Sequence, residues 1–342
     1  MAYTAGIRSV FHRKKRSTVH YVHSNRKGDV MLKYVLKRLG YILVTLWVIV
    51  TCTFFMMKNL PGTPFDAERF SIMTPQQQER VLEMYGLNDS LPMQYVKYIK
   101  NMLKGDLGTS FTYVNQDVSK VITGRLGPSA LIGIQAVLIG LAIGLILGIL
   151  AAWKHNSGID YLTMILAVLG VSVPNFVAAA LLQYYIGLKW GALPVGFWTG
   201  WNCSVLPSIA LSFSATAMVA RFMRTEMLDV LDQDYIVTAR AKGLSQMKVL
   251  MRHAVRNSIL PVVTILGPIV VNLMTGSLAV ENIFSIPGIG SLFVDCIKAN
   301  DYPVIMGITI FYAAFYMLVV LLVDLAYSLI DPRIRLAKGK ES

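Results

Sequence analysis

The chain has 342 residues, 55% of them hydrophobic and only 15% charged, with a mean hydropathy of +0.55. A soluble globular domain needs more polar surface, so the balance excludes one and points to an all-α integral membrane protein. The formal net charge of +13 then belongs in short cytoplasmic segments and against anionic lipid heads, and nucleic acid is not an expected partner.

Residues 1–30 are basic and contain no apolar core segment, so they read as a disordered cytoplasmic tail with no dedicated function. Met31-Leu32-Lys33-Tyr34 looks like the start of the folded region. His20 and His23 form an HxxH within this tail, read as solvated rather than metal-binding. Six uncharged runs follow, judged against the roughly 20 apolar residues that a helix needs to cross the hydrocarbon core. The first is Leu39 to Met57, behind Lys33, Lys37 and Arg38. A long segment from Lys58 to Pro128 separates it from the second, Ser129 to Trp153. That second run carries Ala136, Gly140, Gly144 and Gly148 at four-residue spacing, a line of small residues that lets another helix approach closely.

The third run, Tyr161 to Leu188, contains Pro174. The fourth, Leu206 to Ala220, is short, ends at Arg221 and Arg224, and can extend outward into Trp201 to Val205. The fifth, Ser258 to Val280, contains Pro261 and Pro268. The sixth, Pro303 to Val323, continues past Asp324 to Ile330. Pro174, Pro261 and Pro268 each remove a backbone donor and mark either gates or fixed kinks. Glu281 and Asp324 lie close enough to span ends to be read as solvated, and no chain of acids or histidines forms a proton relay.

Short basic loops set the orientation. Lys154 and His155 follow the second run; Arg221, Arg224, Arg240, Lys242, Lys248, Arg252 and Arg256 follow the fourth; Arg333, Arg335, Lys338 and Lys340 follow the sixth. The opposite loops hold little more than Lys189 and Lys298, so both termini are expected in the cytoplasm and the Lys58–Pro128 segment outside. Cys52, Cys203 and Cys296 lack metal or framework spacing and read as unpaired small apolar residues, although Cys203 and Cys296 both face outward on this topology and could bond.

The basic loop after the fourth run holds Asp234-Tyr235-Ile236-Val237-Thr238-Ala239-Arg240-Ala241-Lys242-Gly243-Leu244. It reads as two short helices broken at Gly243, where glycine can take a positive φ. Ala239 and Ala241 leave room for close approach, and Arg240, Lys242, Lys248 and Arg252 can meet acidic groups at the rim of a groove.

Several further motifs stand in order along the chain. They are Leu60-Pro61-Gly62-Thr63-Pro64, then Tyr85-Gly86-Leu87-Asn88-Asp89-Ser90-Leu91-Pro92 with Gln94-Tyr95, then Gly105-Asp106-Leu107-Gly108-Thr109-Ser110. Ala220-Arg221-Phe222-Met223-Arg224 ends the fourth run. Gly276 to Gly290, with Glu281, Pro287, Gly288 and Gly290, follows the basic loop, overlapping the end of the fifth run, and Asp331-Pro332-Arg333-Ile334 closes the set. In this order the motifs resemble the permease subunits of binding-protein-dependent ABC importers, in the peptide/nickel branch, over Met31 to about Arg335. The loop departs from the general importer pattern: Val237-Thr238-Ala239 stands where Glu-Ala-Ala is usual, His253-Ala254-Val255-Arg256 stands for the closing Ile-x-Leu-Pro, and only Ala239 and Gly243 match firmly.

The resemblance implies a type I importer permease fold of six transmembrane helices, with an extracytoplasmic segment between the first two. The expected organisation is a tail at 1–30, helix one plus the outer segment at 31–128, a core at 129–330 with the coupling loop at about 225–257, and a cytoplasmic tail at 331–342. It implies that Thr238, Ala239, Arg240, Ala241, Lys242, Gly243, Leu244, Arg252 and His253 dock on an ATPase, and that Glu281, Pro287, Gly288 and Gly290 belong to an outer face beneath a peptide-binding protein. With no GxxxxGK[ST] loop the chain cannot hydrolyse ATP alone and is expected to be non-catalytic. The implied partners are a second related permease, two ABC ATPase subunits that bind ATP and magnesium, and an extracytoplasmic binding protein. The implied setting is a bacterial inner membrane and its lipid. The expected cargo is an oligopeptide, with dipeptides or nickel as the alternative; this chain itself is expected to hold no cofactor and no metal. A secondary transporter is the distant competing class, and it lacks support because no inverted repeat or midplane charge is evident.

Overall fold

A computed structural model describes residues 35–59, 70, 72–84, 86–113, 116–274 and 277–330. His20, His23, the Leu60–Pro64 motif and the Asp331–Ile334 motif lie outside the described residues. The chain divides into two compact units, residues 1–52 and 53–342. What is described of the first unit is helical, part of α1 (Val35–Lys58). There the Thr45 and Thr51 hydroxyls donate to the Tyr41 and Trp47 carbonyls one turn back, which satisfies both hydroxyls within the helix.

The second unit continues through α2 (Pro75–Met84), α3 (Leu91–Leu103), α4 (Val118–Trp153), α5 (Gly158–Ser172) and α6 (Asn175–Leu182). A π-helical turn at Gln183–Lys189 and a 3-10 turn at Trp201–Ser204 lead to α7 (Val205–Leu231). Next come α8 (Asp234–Ala241), α9 (Gln246–Val249), a π-helical turn Leu250–Val255, α10 (Arg256–Met274), α11 (Leu278–Ile283), α12 (Ile289–Lys298) and α13 (Tyr302–Ile330). Five of these stretches are long and apolar enough to cross a membrane, or six when the bent pair α5 and α6 counts as one span.

The line of small residues on α4 meets α7 of the same chain. A Cβ on Gly140 would stand 2.7 Å from the Ala215 Cβ, one on Gly144 2.7 Å from the Val219 Cβ, and one on Gly148 2.6 Å from the Ala220 carbonyl. Ala136, in the same line, is fully buried. These pairs rise together in number, so α4 and α7 run parallel with their backbones nearly touching, which dispersion and packing favour where lipid offers no hydrophobic contrast. Their C-terminal ends therefore share one side, with the loop after α7. The opposite side holds the starts of α4 and α13, where Val118 and Ile122 close on Gly307. We call these the loop side and the far side.

Three spans differ from the sequence expectation. The second begins at Val118, eleven residues before Ser129, and passes through Pro128 without ending. The third is not one helix: α5 stops at Ser172, and the chain turns by 100° into α6. Val173 is extended (φ −82°, ψ 119°), as a residue before proline tends to be, and Pro174 at φ −58° opens the next helix. The fifth is part of a longer stretch, Gln246–Ile283, that begins before Ser258. Pro261 and Pro268 both lie inside α10, which is assigned as one continuous helix. Only Pro174, of the three prolines, stands at a helix break. The fourth span does extend outward, through Trp201–Ser204, and inward to Leu231.

Candidate functional site

On the loop side, α8 and α9 fold back on the end of α7. Ile236, Ala239 and Val249 bury one another beneath Val230 and Leu231. The close approach that Ala239 permits is thus to its own chain, whereas Ala241 is exposed. The turn between the helices is closed by two bonds: Gly243 N–H donates to the Arg240 carbonyl at 2.9 Å and Leu244 N–H to the Ala239 carbonyl at 3.4 Å. This is a Schellman end, which requires a left-handed residue after the cap, and Gly243 sits at φ +78°. Nothing approaches within 4 Å of a Cβ built there, so backbone conformation alone calls for glycine.

The surface left outward is mixed. Tyr235, Val237, Leu244, Met247 and Met251 are exposed apolar side chains, and Thr238, Arg240, Lys242, Lys248 and Arg252 are exposed beside them, while His253 is half-buried. Exposed apolar groups interspersed with cations form the kind of surface that a protein partner covers.

Just inside this loop, Arg224 of α7 makes a bidentate pair with Asp160 of α5, Nε to Oδ1 at 2.6 Å and Nη2 to Oδ2 at 2.8 Å. The Asn156 N–H donates to Asp160 Oδ2 at 3.0 Å, and His155 Nδ1 lies 3.1 Å from the same oxygen. Asp160 is 2% exposed. The clamp joins the helix that enters the loop to the first half of the bent pair. Between that pair and α4 and α7 lies a cavity of 740 Å³, walled by apolar side chains such as Ile143, Leu166, Leu181 and Phe213, with no charged group in its lining.

On the far side, Glu281 of α11 is 3% exposed and is not solvated, contrary to the sequence expectation. The Ser129 hydroxyl donates to its Oε1 at 2.7 Å and the Ser291 N–H to its Oε2 at 2.9 Å; Ser129 in turn accepts from the Ile289 N–H at 2.9 Å. A buried carboxylate needs such donors, and Ser129 of α4 and the start of α12 supply them. Gly288 and Gly290 give the carboxylate its space: a Cβ on Gly288 would run into the Glu281 carboxyl group, and one on Gly290 would stand 2.9 Å from the Leu278 nitrogen. Pro287 opens this tight turn, between Ile286, whose N–H returns to the Glu281 carbonyl at 2.8 Å, and Gly288. A second buried acid, Asp301, accepts from the Ser110 hydroxyl at 2.5 Å and from the Phe111 and Thr112 amides at 3.2 and 3.1 Å, fixing the outer segment to the start of α13.

Sequence reasoning passed over Asp160, Ser129, Ser110 and Asp301. The available signal was an isolated acid at the mouth of an apolar run, as Asp160 and Asp301 are; its partner was not legible. Asp324 is half-buried on α13. Cys203 and Cys296 are buried free thiols rather than a bonded pair. Among the described residues no three His, Cys, Asp or Glu side chains gather as a metal set.

The family described as binding-protein-dependent transport system inner membrane component matches residues 144–336, and its N-terminal companion matches residues 31–127. The dipeptide transport system permease protein DppB of Lactococcus lactis subsp. cremoris is 46% identical over 306 residues, 90% of this chain and 100% of that one. The protein of the same name from Bacillus subtilis is 43% identical over 310 residues, 90% of this chain and 99% of that one. The oligopeptide transport system permease protein OppB of Haemophilus influenzae is 39% identical over 307 residues, 89% of this chain and 100% of that one. A solved amino acid ABC transporter chain overlaps 63% of this chain and 94% of its own length at 20% identity, with a TM-score of 0.47.

Proposed function

The chain belongs to the family of binding-protein-dependent transport system inner membrane components, and we infer from that membership that it is a membrane-spanning permease subunit of a peptide importer. The relatives named above carry dipeptide or oligopeptide names, and peptide is the cargo common to both. Within peptides, oligopeptides are the reading taken from the sequence. Dipeptides are the second reading, favoured by the 46% and 43% identity to chains named for them.

The observation that carries the mechanism is the folded-back α8–α9 pair, whose outward surface mixes apolar side chains with Arg240, Lys242, Lys248 and Arg252. We assign this surface to docking on an ABC ATPase, one of two that would bind ATP and magnesium and carry out the hydrolysis. A second related permease would complete the pathway, and an extracytoplasmic binding protein would deliver cargo on the far side, above the outer segment and the Pro287–Gly290 turn. Both termini would then be cytoplasmic. ATP binding favours the closed ATPase pair, draws the docked loops together and shifts the permeases to an outward-open state; hydrolysis returns them inward. The Asp160–Arg224 clamp supports this transmission, since it ties the helix entering the loop to the bent pair. The uncharged cavity wall supports a pathway that leaves cargo selection to the binding protein.

The test is uptake of a labelled peptide by vesicles that contain this chain with its partner permease and ATPases. Uptake should require ATP and loaded binding protein. Uptake that persists without the ATPases would overturn the reading. Competition by unlabelled dipeptides against longer peptides separates the two cargo lengths.

A further inference from the structure

We propose that α3 is an interfacial helix on the far side, with its strip of Met93, Val96 and Leu103 seated against lipid acyl chains and Lys100 and Lys104 set to meet anionic phospholipid head groups. The depth of the helix comes from what its inner face touches. Tyr95 stacks on Phe55 with ring centroids 5.7 Å apart and meets Phe54 at 5.4 Å; Tyr98 lies 5.9 Å from Phe54. Phe54 and Phe55 precede Lys58, the last residue of α1, by about one turn, or about 5 Å of helix rise. Tyr98 also lines a cavity of 430 Å³ with Lys58, Tyr302 and Met306, at the end of one span and the start of another. The inner face of α3 therefore packs beside Phe54 to Lys58, the end of an apolar run of about the length that crosses the hydrocarbon core.

The other face is unlike the surface of an aqueous helix. Leu103 is 78% exposed, Val96 58% and Met93 49%. At 3.6 residues per turn, Met93, Val96, Lys100, Leu103 and Lys104 share one face about 100° wide. Lys100 stands between Val96 and Met93 on this face and Lys104 caps its end, so apolar side chains and lysines are interleaved. Such a face suits the boundary between acyl chains and phosphates: the apolar side chains are buried while the lysine stems reach up to the head groups. The contacts with Phe54 and Phe55, within a turn of the end of the first apolar run, put this face at the boundary.

The placement is independent of what the protein carries, and its test needs no transport. Val96→Cys and Leu103→Cys are each labelled with bimane in a Cys52→Ser chain, assembled with its partner subunits and reconstituted in vesicles of phosphatidylcholine and phosphatidylglycerol with brominated acyl chains. The expected result is loss of bimane emission to the bromines, together with shielding from aqueous iodide. Quenching by iodide alone would put the strip in water and overturn the proposal; shielding from both quenchers would assign the strip to a protein neighbour and also overturn it. Brominating only one lipid at a time tests the lysines. Phosphatidylglycerol should quench more strongly than phosphatidylcholine, and Lys100→Glu with Lys104→Glu should abolish that difference; a difference that survives would remove the head-group assignment.

Discussion

Arg224 holds both carboxylate oxygens of Asp160, at 2.6 and 2.8 Å, across 64 residues of sequence. Asp160 is almost fully enclosed, while the Arg224 side chain keeps 22% of its surface. The two partners are therefore unequal: removing the arginine leaves a buried carboxylate with only a backbone amide and His155, and removing the aspartate leaves a cation that can still reach water. Arg224→Met should destabilise the protein by about 3 kcal/mol or more, the range for breaking a buried pair, and Asp160→Asn by less. Thermal unfolding in detergent measures both. Equal losses, or none, would show that the pair is not closed in the membrane-extracted protein.

Gly144→Ala already brings a Cβ within 2.7 Å of the Val219 Cβ, and Gly144→Leu forces α4 and α7 apart. Overpacking of this kind costs about 1–3 kcal/mol. Because the contact is within one chain, the loss should appear in the purified single subunit, before any partner is added. Leucine at Leu138, a 60% exposed position on the same helix, is by contrast replaceable by alanine with little effect. A Gly144→Leu subunit that melts normally alone yet fails to assemble would move the small-residue line from the chain's interior to an interface.

Gly243 separates conformation from space. With φ at +78° and nothing near its Cβ, substitutions should rank by their tolerance of the left-handed region: asparagine mildest, alanine next at a cost of about 1–2 kcal/mol, valine worst. The apolar spans are untouched, so membrane abundance should stay constant while ATPase co-purification and peptide uptake fall in that order. Full uptake by Gly243→Val would remove the loop from the coupling role.

Glu281 and Gly288 should behave non-additively. Gly288→Ala places a methyl group where the Glu281 carboxyl lies, so it should be severe alone and much milder when Glu281→Ala has emptied that space. A double-mutant cycle on thermal stability reads the coupling directly. Additive losses would mean that the turn before α12 relaxes away from the carboxylate.

Orientation is open to thiol labelling. In a Cys52→Ser chain, Cys203 and Cys296 are buried, and burial pushes the Cys296 thiol up to about 12. The shift is upward, so that thiol stays protonated and unreactive at neutral pH and gains thiolate only as pH climbs toward 12. With Cys203 also replaced by serine, introduced thiols at exposed Gln76 and Gln246 should therefore report alone. An impermeant maleimide on intact cells should label Gln76→Cys and spare Gln246→Cys; the reverse pattern would invert the topology.

The membrane class, most span positions, the line from Ala136 to Gly148 and the break at Gly243 were all legible in the amino-acid order, because each depends on neighbours along the chain. Hydropathy sums over a window, glycine spacing follows one helix face, and a Schellman turn is closed within six residues. The tertiary structure decided what those features meet. A run such as Tyr161–Leu188 scores the same straight or bent, so the 100° turn at Pro174 appears only when α5 and α6 pack. The small-residue line shows that some helix comes close, and only the fold makes that helix α7. Asp160, Glu281 and Asp301 find donors 64, 152 and 191 residues away. A carboxylate near a span end can equally face water or be enclosed, and which holds depends on donors that distant segments bring to it.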